Sequence, residues 1–184
     1  MENGEQQYRR FLAGDTEGLR EIIREYQGGL MLYLNGIVQN IHTAEDLTED
    51  TFAEIAIRKP HFSGKSLFKT WLYAIGRHLA CKHLRKQSRH SEIPLHLQEL
   101  VDTEQCVESR LLRDERARIV RQAMHTLRTD YRSVLHLSFF EEMSNEETAA
   151  AMGKNRRQVE NLLYNAKKAL RVELERRGFP YEEQ

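Results

Sequence analysis

Apolar residues recur along this chain three and four positions apart, and no stretch sustains a two-residue alternation rich in Val, Ile and Thr between turn signals. The pattern predicts an all-α protein. Asp15 is placed to cap a helix that turns Leu19, Ile22, Ile23 and Tyr26 inward, and Gly28-Gly29 marks a break before a second run of Leu30, Leu34, Ile37, Val38 and Ile41. Thr43-Ala-Glu-Asp46 has the character of a capping box and predicts a third helix from Thr43 to about Ile57, with Leu47, Phe52, Ile55 and Ala56 available for the inside. Pro60 excludes a smooth continuation. A fourth helix opens at Ser66, where Leu67, Trp71, Leu72, Ile75, Leu79 and Leu84 form a stripe and basic residues take much of the rest.

After this unit the pattern fades. Residues 93–109 carry one Pro, spaced acids and only a short apolar cluster, which predicts a flexible acidic linker between a domain at 1–92 and a second at 110–184. In the second domain one helix runs to about Leu127, and another, from about Asp130, presents Tyr131, Val134, Leu135, Leu137 and Phe139. Ser144-Asn-Glu-Glu147 is a capping box for a short helix through Ala149 to Met152; Gly153 suits its left-handed end, and Asn155-Arg-Arg-Gln158 caps the next helix. Helix, tight glycine turn, helix is the grammar of a helix-turn-helix. In its second helix Val159, Leu162, Leu163, Ala166, Ala169 and Leu170 share the inner face, leaving a basic, Asn-bearing outer face of the kind the DNA major groove accepts.

Composition narrows the chemistry. Across 184 residues, 28 Lys and Arg balance 28 Asp and Glu, which by itself argues against a nucleic-acid partner. The charges are partitioned, however. Arg77, Lys82, Arg85, Lys86 and Arg89 cluster without a carboxylate, and a second basic stretch runs from Lys154 to Arg171. Acids gather around Asp46 to Glu54, Glu99 to Glu115 and Glu141 to Glu147. Two basic surfaces separated by acidic ones predict nucleic acid met at two places and a different partner elsewhere. Cys81 and Cys106 stand apart from any His or Cys at zinc spacing, and no metal or cofactor is expected. No Gly-rich phosphate loop, HExxH or GxSxG appears, so an enzyme is not expected. The N-terminus MENGEQQYRR has no signal-like apolar stretch and no apolar run approaches a membrane span, which predicts a cytoplasmic protein with no membrane insertion.

Phe62, Phe68, Trp71 and Tyr73 are interleaved with Lys59, Lys65, Lys69, Arg77 and Lys82, a combination that suits melted nucleic acid, although Phe68 and Trp71 also recur at core spacing. The segment Phe62-Ser-Gly-Lys-Ser-Leu-Phe-Lys-Thr-Trp-Leu-Tyr73, followed by His83-Leu-Arg-Lys86, resembles the promoter-melting region of bacterial sigma factors. Ala44-Glu-Asp-Leu-Thr-Glu-Asp-Thr-Phe52 resembles their clamp-gripping helix, and Met143 to Gly153 with Asn165-Ala-Lys-Lys-Ala-Leu170 is similar to their C-terminal helix-turn-helix. Order and spacing over Gly14 to Arg177 resemble the extracytoplasmic-function (ECF) group of the sigma-70 family.

The resemblance implies a dissociable subunit that binds core RNA polymerase, recognises two promoter elements and nucleates melting. It implies that Asp46, Leu47, Glu49, Asp50, Phe52 and Ile55 dock on the polymerase clamp, and that Tyr131, Val134 and Leu135 touch the polymerase flap. His61, Phe62, Lys65, Tyr73, Arg77, His78 and Lys82 become candidates for the minus-ten-type element and its melted non-template strand. Arg156, Arg157, Asn161, Tyr164, Asn165 and Lys168 become candidates for the duplex of the minus-thirty-five-type element. An anti-sigma factor is the expected regulator. Many relatives have Asn where this chain has His78, and Lys or Arg where it has Glu160, Leu162 and Asn165. The rival reading is a stand-alone helix-turn-helix regulator, which requires symmetrical half-sites and no polymerase.

Overall fold

The structure, a computed structural model, describes residues 3–90 and 115–179, all of whose regular elements are helical. The expected linker at 93–109 lies outside the described residues. The N-terminal unit comprises α1 (Asn3–Leu12), α2 (Thr16–Val38), α3 (Ile41–Ala53), a π-helical turn (Glu54–Arg58) and α4 (Phe68–His90). The C-terminal unit comprises α5 (Glu115–Thr126), α6 (Thr129–Leu135), a second π-helical turn (His136–Phe140), α7 (Asn145–Met152) and α8 (Arg156–Arg176).

Asp15 caps α2 as its sequence predicts, its carboxylate accepting from the Glu17 backbone N–H. The predicted break at Gly28-Gly29 is absent, and α2 runs through both glycines to a left-handed C-cap at Gln39. Packing explains the continuity. Ile22, Tyr26, Leu30, Tyr33, Leu34 and Ile37 are buried at spacings of three and four, so propagation of a well-anchored helix outweighs about 1 kcal/mol lost per glycine. Gly29 is needed for close approach: a Cβ there would lie 2.5 Å from the Tyr73 hydroxyl and 2.6 Å from Glu141 Oε1.

Helix α3 starts earlier than its sequence suggests. Asn40, not Thr43, is the cap, accepting from the Thr43 backbone N–H at 2.9 Å. The sequence reading has no counterpart to α1, whose apolar side chains are few, yet Tyr8 and Phe11 are buried by it. On α4, Phe68, Leu72 and Tyr73 are fully buried, whereas Leu67, expected inside, is exposed just ahead of the helix.

The two units pack directly on each other. Tyr33 lies 5.4 Å from the Tyr73 ring and 5.7 Å from the His136 ring. Arg132, buried, donates from Nε to the Gly36 carbonyl at 2.6 Å, while its other nitrogens reach the carbonyls of His125 and Leu127 and the Thr129 hydroxyl. Burial presses that guanidinium down to about 10. Gln39 adds a hydrogen bond from Nε2 to the His125 carbonyl at 3.0 Å.

Candidate nucleic-acid and partner interfaces

The first candidate surface begins where α3 loosens into its π-helical turn and Lys59 takes a left-handed conformation, φ 45°. The Pro60 carbonyl then accepts from the Tyr8 hydroxyl at 2.8 Å, which ties the loop to α1. Phe62 is half-buried, meeting Phe68 edge-on at 5.7 Å and Trp71 at 5.2 Å, and Tyr8 backs the same cluster at 5.5 Å from Phe68 and 5.4 Å from Trp71. Such a ring stack holds a loop rigidly, because aromatic pairs add geometric preference to their burial. His61 and Lys65 stand exposed on this loop, and His78 and Lys82 are exposed further along α4.

Two members of the predicted set lie elsewhere. Tyr73 is fully buried beneath the C-terminal unit, where burial and the adjacent Glu141 carboxylate push its hydroxyl far above the ordinary tyrosine value. Arg77 is half-buried and reaches Asp130 Oδ1 and Ser133 Oγ, each at 3.4 Å. In this arrangement neither faces a base. Phe68 is core rather than stacking platform, and Trp71 is partly buried against it.

The second surface is the helix-turn-helix, and here local chemistry dictates geometry. Ser144 accepts from the Glu147 N–H while the Glu147 carboxylate accepts from the Ser144 N–H at 2.7 Å, a complete capping box. Asn155 and Gln158 form a second one at the start of α8. Gly153 takes φ 62° between them, a left-handed turn natural to glycine. Val159 and Ala166 are buried, with Leu162, Leu163, Ala169 and Leu170 packed around them, so the outer face is fixed. Arg156, Arg157, Asn161, Tyr164, Asn165 and Lys168 are all exposed on it. Arg156 is already engaged by Glu146 at 2.6 Å and Glu160 at 2.7 Å, contacts that hold its guanidinium charged. Arg157 and Lys168 make no such pair among the described residues. Lys167 sits 5.1 Å over the Phe139 ring, which is exposed rather than turned inward as its spacing suggests, because the π-helical turn shifts the phase of the helix there.

The third surface is the acidic side of α3. Asp46, Glu49 and Asp50 are exposed, whereas Leu47, Phe52 and Ile55 are buried in the core and offer no docking area in this arrangement. The exposed apolar residue on this side is Ile57, 81% exposed beside Asp50, Ala53, Glu54, Arg58 and Leu79, with which it lines a shallow groove of about 380 Å³. The sequence reading passes over Ile57, and the signal that finds it is its spacing, seven residues beyond Asp50 on the same exposed face. Val134 and Leu135 are likewise buried, while Tyr131 lines a groove of about 390 Å³ with Leu127, Ala169 and Val172. Among the described residues no helix is long and apolar enough to cross a membrane.

Comparison with known proteins gives this arrangement its relatives. The profile of Sigma-70 region 2 matches residues 22–90, and that of Sigma-70, region 4 matches residues 117–170. The ECF RNA polymerase sigma factor SigX of Bacillus subtilis is 30% identical over 156 residues, 82% of this chain and 80% of that protein. The RNA polymerase sigma-E factor of Streptomyces antibioticus is 31% identical over 170 residues, 89% of this chain and 88% of that protein. The fold is shared with CnrH, solved in complex with the cytosolic domain of CnrY (TM-score 0.68, 19% identity, 95% of this chain and 98% of that one). It is shared also with the sigma factor RpoE of Bartonella quintana, solved with the anti-sigma factor NepR (TM-score 0.65, 19% identity, 85% and 96%). An all-α chain with a helix-turn-helix, matched at both sigma-70 regions and to relatives over most of its length, belongs to the ECF group of RNA polymerase sigma factors.

Proposed function

We propose that this chain binds core RNA polymerase, reads two promoter elements and nucleates strand separation, with no bond-making chemistry of its own. The observation that carries the reading is the presence, in one member of the sigma family, of a doubly capped helix-turn-helix with a basic outer face and an aromatic-backed loop beside a basic helix. The division of labour follows the chain. Residues 1–92 bind the polymerase clamp and open the minus-ten-type element, 93–109 are the tether, and 110–184 read the minus-thirty-five-type element. His61, Phe62, Lys65, His78 and Lys82 serve the melted strand, with Tyr73 and Arg77 joining them once the units separate. Arg156, Arg157, Asn161, Tyr164, Asn165 and Lys168 serve the duplex, and Tyr131 lies at the polymerase flap. An anti-sigma factor, by analogy with the complexes of CnrH and RpoE, completes the set of partners in the cytoplasm. The stand-alone regulator is set aside by family membership and by the melting loop, which a reader of intact duplex does not need.

The deciding experiment is transcription in vitro on a genomic fragment library, with purified core RNA polymerase and with or without this protein. Discrete protein-dependent starts sharing two spaced motifs are expected. No starts and no polymerase binding, with duplex binding retained, would return the case to the regulator. The same assay tests the acidic face. Asp50→Arg, at an exposed position, leaves the fold intact and weakens polymerase affinity by about tenfold or more, since a reversed charge meets a basic partner. An unchanged titration removes Asp50 from that contact.

On α8 the two neighbouring arginines separate by their partners. Arg157→Ala reduces upstream-duplex affinity and lowers the salt slope by about one, while Arg156→Ala has a smaller effect because Glu146 and Glu160 already compensate its charge. Equal losses and equal slopes would contradict this order.

A further inference from the structure

The loop at 59–66 is held by α1 as well as by α4. Glu5, Tyr8 and Phe11, spaced three apart on one face of α1, all meet it. Tyr8 donates its hydroxyl to the Pro60 carbonyl at 2.8 Å, and the Phe11 ring lies 5.1 Å from the Lys59 ammonium. Glu5 Oε1 lies 3.9 Å from the point that a Cβ on Gly64 would occupy. These contacts fall at or beside the loop residues with left-handed backbone, Lys59 at φ 45° and Gly64 at φ 69°. At Lys59 a side chain makes that conformation costly, so it persists only where neighbours hold it. Helix α1 is itself fixed to the body: Asn3 and Gln7 donate to Glu25, and Arg10 to Asp15 and Glu21. Glycine closes the gap, since a Cβ at Gly4 would lie 2.6 Å from the Phe68 ring and from the Tyr26 hydroxyl. Core filling alone does not call for the Tyr8 hydroxyl. A phenyl ring would occupy the same space, and a hydroxyl on a residue 1% exposed is tolerated only because the Pro60 carbonyl accepts it. Burial raises its pKa, so at neutral pH it stays protonated and donates.

We infer that α1 is a positioning element for strand capture: through Tyr8 on Pro60 and Phe11 beside Lys59 it holds the loop, before any DNA arrives, in the shape that receives an unpaired base. The inference rests on the melting role proposed above for this loop. Tyr8 is a positioning residue, since its hydroxyl is committed to the loop backbone and it acts on the strand only through that backbone. A loop ordered in advance loses less freedom when the strand binds, so the contribution of α1 is realised at the opening step. Duplex reading by α8 and polymerase binding by the acidic side of α3 use other elements and do not draw on it.

The chain carries its own probe, because Trp71, its single tryptophan, packs against both Phe62 and Tyr8. Full-length wild type, Tyr8→Phe, Phe11→Leu and Ile22→Val are compared well below their unfolding midpoints, the last a fully buried position on α2 that serves as a stability control. Acrylamide quenching of Trp71 reads the loop in the free protein. In the complex with core polymerase, 2-aminopurine placed in the minus-ten-type element of a promoter mapped by the start-site assay reads opening, and polymerase affinity and initial duplex binding are titrated separately. Tyr8→Phe is expected to make Trp71 about twofold easier to quench and to slow the 2-aminopurine rise about fivefold, with both affinities unchanged within about twofold. Phe11→Leu gives the same pattern more weakly, and it carries the comparison alone if Tyr8→Phe does not fold. Ile22→Val leaves quenching and the rise at wild-type values. Opening rates that follow stability loss across all three variants overturn the inference, as does a loss in which duplex binding falls as much as opening. A wild-type rise that Tyr8→Phe leaves unaltered refutes the positioning role alone. A wild type that yields no start sites, or no 2-aminopurine rise, refutes the melting role and the positioning role with it.

Discussion

Phe68→Ala lowers the unfolding free energy by about 3–5 kcal/mol, the range for deleting a fully buried phenyl ring from a core that does not collapse around the gap. Relaxation is restricted because the neighbours come from several parts of the chain. Tyr8 on α1, Tyr26 on α2, Phe62 in the loop and Trp71 on α4 all lie within 6 Å of the Phe68 ring centroid, at 5.5, 5.9, 5.7 and 5.4 Å. No single side-chain rotation fills a cavity walled by four rings. The substitution also releases Phe62, so promoter opening falls further than stability does when assayed below the melting midpoint. Phe62→Ala is the control: half-buried, it costs less stability but removes the same loop anchor. Denaturant midpoints for both variants, set beside open-complex yields, check this. A Phe68→Ala midpoint equal to that of Phe62→Ala would mean that Phe68 is not the keystone of the cluster.

That cluster also marks the limit of what sequence made legible. The helix-turn-helix could be read residue by residue, because Ser144, Glu147, Gly153, Asn155 and Gln158 act on backbone groups three positions away or on their own φ. The all-α fold and the inner face of α2 were legible for a similar reason, since periodicity is local. The features that escaped are set by distant contacts. Gly28-Gly29 has the form of a breaker, and only the approach of Tyr73 and Glu141 reveals why Gly29 belongs inside a helix. Helix α1 carries few apolar residues, and its role appears only when Tyr8 reaches Pro60 across the fold. The same reasoning sorts the candidate site. Asp50, Lys65 and Arg157, which the family resemblance singles out, stay at the surface because their charges are solvated there, whereas Leu47, Tyr73 and Val134 went inward because core packing claims an apolar or aromatic body wherever it can. The second π-helical turn shifts the helical phase, and Phe139 emerges at the surface there, whereas Ile57, seven residues beyond Asp50, continues the exposed face of α3 despite its apolar side chain.

Arg132→Ala has the second large effect, about 3–5 kcal/mol, and by a different route. The guanidinium is 6% exposed and satisfies the carbonyls of Gly36, His125 and Leu127 together with the Thr129 hydroxyl. Truncation strands the Leu127 carbonyl in a buried setting and removes the charge-assisted bonds to Gly36 and Thr129, while the His125 carbonyl keeps its bond from Gln39; a buried acceptor left unpaired costs about 1–3 kcal/mol and each lost bond from a charged donor about 1.5–3 kcal/mol. The loss is divided in an informative way. His125, Leu127 and Thr129 belong to the junction of α5 and α6, so their contacts hold the C-terminal unit together, whereas Gly36 belongs to α2 and its contact joins the units. A wild-type chain held closed by this bond unfolds in one transition; the alanine variant unfolds in two, the C-terminal unit melting first. Arg132→Lys restores part of the stability but not the single transition, because one ammonium cannot span four acceptors arranged around a planar fork. Differential scanning calorimetry distinguishes the cases. A single, merely shifted peak for Arg132→Ala would show that the seam between the units does not depend on Gly36, leaving the carboxylate contacts of Glu141 and Asp130 as its main polar hold.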